Sequence, residues 1–475
     1  MSHDLPPTSP APSPSAPVSP QAAAEALFQQ GVSAHNSGDL EQAARLYGLV
    51  LKEMPAHTLA LNNLAVALRR LHCKPAANAL YLRAMALSPE TPNLTALVNR
   101  GNVLRDLGRY QDACASYYQA LAHDSDCRGA WYGLGLVLRD MKKIDDSIAA
   151  LEKTLSFTPD DPEVQWDLSH SLLCKGDLLR GFALYESRWR LKGVQRPRYP
   201  WPEWDGTAAL TGKTLLLYGE QGFGDVLQCL RFIPLVAARG AKVVLHVRPE
   251  LVSLLAGQFP AVTQIIVRDA TPPAGCCDLV APLMSLPWLL GLRREDIPRA
   301  PYITPPSIPV RLPQQAAQAA LRIGLCWQGS PTHKNDHNRS MPFQHLVSLL
   351  RFPQVALFSL QKGKAASEPA DWTIASMITI LDPLLKSFRE TAAVIAHLDL
   401  VIAVDTSVMH LAAAMGKPVW LLLPVSHDWR VDANDSLQTW YPSVRVFKQP
   451  SHGDWAGVMA QVETALERAI QHKTF

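Results

Sequence analysis

Two periodicities run along this chain and divide it near residue 200. In the second part, short apolar runs alternate with amphipathic stretches. Residues 214–218, 242–247, 263–267 and 278–281 read as strands, and 226–238 carries Leu227, Leu230, Ile233 and Val236 at helical spacing. Residues 249–259 form the next expected helix. After a Pro-rich stretch the alternation resumes, with strands expected at 322–327, 355–360, 378–380, 419–423 and 444–447 and helices at 343–350, 388–397 and 455–472. The sharpest pattern is 398–420. The apolar run LDLVIAV ends in Asp405-Thr406-Ser407, a helix-start signal, and Met409, Leu411 and Met415 follow. Gly416 and Pro418 stop that helix before the next apolar run. In a parallel sheet this places Asp405, Thr406, Ser407 and His410 at the carboxyl edge, where ligands and anions bind. An ordinary β-α-β unit with a capped helix and a buried His410 has the same pattern.

The first part is helical and repeats. Small residues stand at Gly31, Ala65, Gly101, Gly135 and Ser169, at intervals of 34, 36, 34 and 34. Twelve residues after each comes another small residue, Ala43, Ala77, Ala113, Ser147 and Gly181. Four further on sits a bulky one, Tyr47, Tyr81, Tyr117, Leu151 and Tyr185, and Pro55, Pro89 and Pro159 end three units. Small residues at this phase let paired helices approach closely, and the stretch resembles the tetratricopeptide repeat. The fifth unit is degraded and runs into the basic stretch 188–198, as a capping unit would. Such a solenoid has a groove suited to an extended peptide. Asn62, Asn63, Asn99, Asn102 and Tyr132 are the candidate acceptor-peptide contacts, because amide side chains can hold peptide backbone without reading its sequence.

The expected organisation is therefore a Pro/Ser-rich tail (1–22), an α-helical solenoid of about five repeats (24–191) and a connector (192–209). An α/β module of two Rossmann-like domains follows. Its acceptor-side half covers 210–303, a linker 304–320, and its donor-binding half 321–475 with a final helix that can pack back. Composition adds exclusions. A net charge of +3 over 475 residues points to neither nucleic acid nor membrane as partner. The eight cysteines show no zinc-like CxxC spacing, and no signal peptide or spanning segment is evident. A cytoplasmic protein is expected, and self-association is compatible with the repeats.

Three polar clusters fall at expected strand ends. Gly219–Asp225, GEQGFGD, lacks both the third glycine of a dinucleotide fingerprint and the lysine of a P-loop. Asp225, with Glu220 as substitute, can accept a proton from a hydroxyl or cap the helix. The second cluster is the loop 327–340, WQGSPTHKNDHNRS. Its Lys334 and Arg339, with Lys362 from the next strand end, can neutralise a phosphate. His333 and His337 lie in a loop without an obvious third ligand, so no metal is expected. The third is the Asp405 turn, with Trp429 in the sequence HDWR. Trp429 and Trp327 are candidates for stacking on a base or sugar, or for burial as anchors.

These motifs together resemble bacterial glycosyltransferases of the two-Rossmann (GT-B) kind related to the lipopolysaccharide heptosyltransferases. The residues carrying the resemblance are WDG at 204–206, GEQGFGD, HKNDHNRS, SLQKG at 359–363, VDTSVMHLAAAMGKPVW at 404–420 and HDWR at 427–430. The resemblance implies a nucleotide sugar as co-substrate, no other cofactor, and an inverting mechanism. Asp225 is then the base, and Lys334, Arg339, Lys362, Asp405, Thr406, Ser407 and His410 form the donor site. Flagellin-modifying transferases with repeats ahead of such a domain have a similar architecture, which suggests a protein acceptor. The repeats set this chain apart from the heptosyltransferases. A lipopolysaccharide or polysaccharide acceptor, or a non-catalytic scaffold with a degenerate sugar-nucleotide domain, is the alternative.

Overall fold

The structure, a computed structural model, describes residues 19–87, 93–312, 319–333, 335–371, 377–431, 437 and 439–472. Lys334, Pro89 and most of the Pro/Ser-rich tail lie outside the described residues. Contacts divide the chain into two compact units, Met1–Val137 and Leu138–Phe475.

The first unit holds α1 (Pro20–Ser37), α2 (Leu40–Glu53), α3 (Thr58–Arg70), α4 (Lys74–Ala86), α5 (Leu94–Asp106), α6 (Tyr110–His123) and the greater part of α7 (Arg128–Asp140). The repeat phase becomes packing here. A Cβ on Gly31 would lie 2.7 Å from the Tyr47 ring, and one on Gly101 would lie 2.5 Å from the Tyr117 ring. Each glycine thus leaves room for the tyrosine of the partner helix, and both rings are wholly buried.

In the second unit, α8 (Ile144–Phe157), α9 (Pro162–Lys175) and α10 (Leu178–Tyr185) complete the helical array. A single 3₁₀ turn, Glu186–Arg190, leads out of it. Next come β1 (Thr214–Tyr218), α11 (Phe223–Cys229), α12 (Ile233–Ala238), β2 (Lys242–Val247), α13 (Pro249–Leu255), β3 (Val262–Val267), β4 (Leu279–Pro282) and α14 (Leu286–Leu289). The four strands form a parallel sheet in the order β3-β2-β1-β4. One long helix was expected at 226–238, but two short ones form, joined by the 3₁₀ turn Leu230–Phe232. Pro234 explains the break, since it supplies no N–H to the Leu230 carbonyl one turn back. The sheet residues Leu216, Tyr218, Val244, Ile266 and Val280 are covered by Trp189, Tyr199 and Trp201, all from before β1.

The remaining elements are β5 (Leu321–Cys326), α15 (Asp336–Arg339), β6 (Val355–Ser359), β7 (Ile378–Ile380), α16 (Phe388–Ala396), β8 (Leu400–Val404), α17 (Ser407–Ala414), β9 (Val419–Leu423), β10 (Val444–Lys448) and α18 (Trp455–His472). Their sheet is parallel, in the order β10-β9-β8-β5-β6-β7. The helix expected at 343–350 winds as a 3₁₀ helix, Phe343–Arg351. The final helix α18 buries Val458, Val462, Leu466 and Ala469 against Ile323, Leu325, Ile402 and Val404 of its own sheet. The whole is a helical repeat array followed by a parallel-sheet α/β region consistent with a GT-B module. No described helix is long and apolar enough to cross a membrane.

Candidate functional site

The turn after β8 is built as its pattern implied. Leu400–Val404 is wholly buried, and α17 begins at Ser407. The helix ends before Gly416, whose φ of 75° suits a left-handed C-cap. Thr406 occupies the N-cap position, yet its side chain makes no capping bond, and its Oγ1 lies 3.7 Å from Cys326 Sγ instead. Ser407 is half-buried in the first turn. The Asp405 carboxylate lies 3.7 Å from His410 Nε2, and its backbone carbonyl accepts a 3.0 Å bond from Arg339 Nη1. Burial alone would raise the Asp405 pKa. The interaction with His410 and the charges of His410, Arg430 and Arg339 outweigh it and hold the carboxyl at about 2.

His410 is committed elsewhere than to a ligand. It is buried, its Nδ1 is 2.9 Å from the Tyr441 hydroxyl, and its ring stands edge-on to Tyr441. A Cβ on Gly224 would be 2.7 Å from His410 Cδ2. The glycine turn of the first sheet thereby reaches the Asp-Thr-Ser turn of the second, and α11 packs on α17. The donor-site reading of His410 is corrected to a packing role between the two turns, because Tyr441, Asp405 and Gly224 enclose its ring.

At the end of β1 the two carboxylates part company. Asp225 Oδ2 accepts the Gly222 N–H at 2.9 Å, and Oδ1 accepts Arg430 Nη2. Glu220 points the other way, toward the repeats. It pairs at 3.0 Å with Arg188 of the 3₁₀ turn after α10, and both side chains are nearly inaccessible. Glu220 Oε2 has no partner among the described residues. Burial, opposed by Arg188, pushes its carboxyl up to about 7. Arg188 also binds Glu186 and Ser285. Glu220 is thus a docking residue for the repeat segment, which corrects its placing as a substitute base.

The two expected cations among the described residues, Arg339 and Lys362, have different partners. Arg339 reaches the Asp405 turn while pairing with Asp336 at 3.1 Å. Lys362, 56% exposed, turns to the Leu385 carbonyl and to Asp382 at 3.7 Å, so its described partners lie apart from Asp405. His333 is held below its usual pKa by burial and then by Arg339, and it feels Asp405 and Asp225 as well. Both tryptophans are withdrawn from stacking. Trp327 is 0% exposed and donates from Nε1 to Glu368 at 3.1 Å. Trp429, 5% exposed, packs edge-on to Phe182 and Trp440. Their apolar faces are worth more in the core than beside solvent. In the repeats, Asn62 is buried, with no partner for Oδ1 among the described residues, which removes it from the surface contacts, and Asn63, Asn99 and Tyr132 are half-buried. Asn102 accepts the Tyr117 hydroxyl at 2.7 Å, a bond within its own helix pair that removes it from the free amides. Among the described residues no three His, Cys, Asp or Glu side chains gather as a metal ion would require.

Two site residues were not anticipated. Arg430 is buried between the turns, and it donates to Asp225, to Gln228 Oε1 and to Asp428 at 2.7 Å. Gln361, also buried, accepts the N–H groups of Trp327 and Gln328 at 3.1 and 3.0 Å, and so ties the end of β5 to that of β6. Arg430 falls in HDWR, a motif visible in the sequence, but its partners Asp225 and Gln228 lie more than 200 residues away.

The chain is similar to characterised families over two segments. Residues 98–162 match the tetratricopeptide repeat. Residues 345–426 match glycosyltransferase family 9 (heptosyltransferase), a stretch that includes the β8–α17 turn. The chain is 27% identical over 458 residues to Protein FlbA of Caulobacter vibrioides, covering 90% of this chain and 75% of that protein. Among solved structures, the repeats are similar to Pseudomonas aeruginosa PilF (24% identity, 37% of this chain and 79% of that one, TM-score 0.33). They are also similar to MamA from Desulfovibrio magneticus (19% identity, 37% and 97%, TM-score 0.32).

Proposed function

We propose that this chain, which carries tetratricopeptide repeats and a glycosyltransferase family 9 domain, moves a sugar from a nucleotide sugar to a hydroxyl of a polypeptide acceptor in the cytoplasm. The observation that carries the reading is the meeting of the family-matched β8–α17 turn with the Asp225 turn of the facing sheet. Asp225 takes the proton of the acceptor hydroxyl as the oxygen attacks the anomeric carbon. The bond from that carbon to the donor phosphate breaks with inversion, and the nucleoside diphosphate leaves with the electron pair. Arg339, beside the Asp405 carbonyl, stabilises charge on the leaving phosphate, joined by Lys334 and by the amides at the start of α17. Lys362 remains a weaker candidate in this role. No divalent metal takes part, so chelation with EDTA leaves the rate unchanged.

The repeat array supplies the acceptor. A polypeptide such as flagellin, held along Asn63, Asn99 and Tyr132, gains effective concentration near the site. The test begins with a thermal-shift screen of nucleotide sugars, followed by transfer assays of wild type and Asp225→Asn. The variant should fold, bind donor and lose about 10²–10⁴-fold in turnover. Full activity in D225N would remove the base assignment. Replacing Asn63 and Asn99 by Ala should raise KM for the protein acceptor and leave slow donor hydrolysis unchanged. Equal KM values would separate the repeats from acceptor binding.

A further inference from the structure

The arrangement that joins the two turns also obstructs the chemistry assigned to it. Both oxygens of Asp225 already accept hydrogen bonds, one from the Gly222 N–H and one from Arg430. The Gly222 bond belongs to the turn itself and holds the carboxylate in place. The Arg430 bond comes from the opposite half and takes up Oδ1, the oxygen that the turn itself leaves open to accept from a hydroxyl.

Arg430 is not held by Asp225 alone. Its Nη1 donates to Asp428 Oδ1 at 2.7 Å, its backbone N–H donates to the same oxygen at 3.0 Å, and the guanidinium lies 4.6 Å from the centre of the Trp429 ring. These three contacts come from its own loop, so they survive if the contact to Asp225 breaks. Its Nε donates to Gln228, a neutral and weaker partner on α11. The guanidinium charge also reaches Asp405 in the β8–α17 turn. Arg430 is therefore anchored by its own loop and engaged by the Asp225 carboxylate of the facing half.

A donor diphosphate brings at least two negative charges into a cluster whose described cations are already engaged. Arg339 is tied to Asp336 and to the Asp405 carbonyl. Lys362 is tied to Leu385 and Asp382. A phosphate group accepts two parallel bonds from a guanidinium and competes well with a single carboxylate contact. Moving Nη2 from Asp225 and Nε from Gln228 onto the phosphate exchanges two hydrogen bonds for two charge-assisted ones that share one partner, and uncovers the carboxylate in the same motion.

We propose that Arg430 is a donor-operated latch: the diphosphate of the bound sugar nucleotide takes the guanidinium from Asp225, and the base is freed only when the donor is in place. The inference rests on the transferase reading and adds an order to its steps. It gives the protein a means of holding its base idle until a donor is bound.

Inorganic pyrophosphate is the probe, titrated calorimetrically into the full chain. Asp225→Asn keeps the Gly222 bond but removes the charge that competes for Arg430, so pyrophosphate should bind about tenfold tighter than to wild type. Arg430→Gln should weaken binding tenfold or more. The double variant should behave as Arg430→Gln, because without the arginine the gain from Asp225→Asn has no source. Should Arg430→Gln not fold, Arg430→Lys keeps a cation without the fork and should bind pyrophosphate at an intermediate level. Unchanged or weaker binding in Asp225→Asn overturns the latch, as does undiminished binding in Arg430→Gln. The nucleotide-sugar transfer assay reads the underlying function separately. Transfer activity with no gain in Asp225→Asn refutes the latch alone. A gain in Asp225→Asn without transfer from any nucleotide sugar refutes the transferase reading and leaves an anion-exchanged Arg430 contact.

Discussion

The turns after β1 and β8 share a plan and differ in what holds them. Each follows a buried parallel strand and opens a short helix. The β8 turn is largely supported by its own half, since Asp405 is faced by His410 five residues on, and its sheet is covered by α18. The β1 turn depends on distant segments. Its Asp225 is bound by Arg430, its Glu220 is bound by Arg188, and its sheet is covered by aromatic residues that precede it. The first sheet is thus completed by the end of the repeat array and by the loop after β9, and a change in either should be felt at Asp225.

The strongest way to break this dependence is Arg188→Met. Removing one member of a buried ion pair leaves the other charge uncompensated, at a cost of about 3–5 kcal/mol. Chemical denaturation at pH 8 should show that loss. At pH 5.5, where Glu220 without its cation is protonated, the loss should be smaller. A loss equal at both pH values would mean that Arg188 acts by packing on Tyr185 and Trp189 rather than by charge.

The wild-type protein should carry the same signature more weakly. Burial raises Glu220 from 4.5 to about 7, so the folded state binds a proton that the unfolded state has released within that window. Its contribution to stability therefore falls as pH rises from 4.5 to about 7 and is constant above. Asp405 acts in the opposite direction. Its carboxyl is lowered from 3.8 to about 2, so its stabilising contribution is complete above 3.8 and lost as pH falls toward 2. Glu220→Gln should remove the upper slope and leave the acid limb intact. A slope that persists between pH 4.5 and 7 in that variant would assign it to another group.

What was legible in the chain was what is local in it. Strand, polar turn, helix and stop signal in 398–420 follow one another without interruption, and the structure has them in that order. The repeat was legible because Gly31 with Tyr47 and Gly101 with Tyr117 state the same contact at the same spacing. The partners of the carboxylates were not legible. Asp225 and Arg430 are 205 positions apart, and nothing near either residue indicates the other. Trp327 and Trp429 were ambiguous for another reason, because a large aromatic suits a ligand face and a core equally well until its neighbours are known. Lys362 misled because the end of a strand gives a side chain an address but not a direction.

A gentler way to separate the turns is Gly224→Val. The first added carbon would stand 2.7 Å from His410 Cδ2, and the ring has little room to give because Tyr441 lies against it. Overpacking of this kind costs about 1–3 kcal/mol, and the β-branch adds to it at an early helical position. Donor affinity should fall with stability, since α11 must move away from α17. Gly224→Ala should show the same effect at lower amplitude. Unchanged stability in the valine variant would mean that the two turns are not in firm contact.

The smallest predicted change distinguishes packing from chemistry at His410. Tyr441→Phe removes the hydroxyl that lies 2.9 Å from Nδ1 and leaves the ring that stands against the imidazole and under Arg231. A buried polar group that loses one partner costs about 1–2 kcal/mol, with the remaining packing intact. If His410 only braces the two turns, thermal unfolding should record that loss, and turnover per folded molecule should change by less than threefold. The contact with Asp405 approaches from the other ring nitrogen and should persist, so the acid limb of the stability profile should stay where it is. A variant with wild-type stability and turnover reduced a hundredfold would return His410 to the chemistry, because a hydrogen bond with no effect on folding would then be needed in the reaction itself.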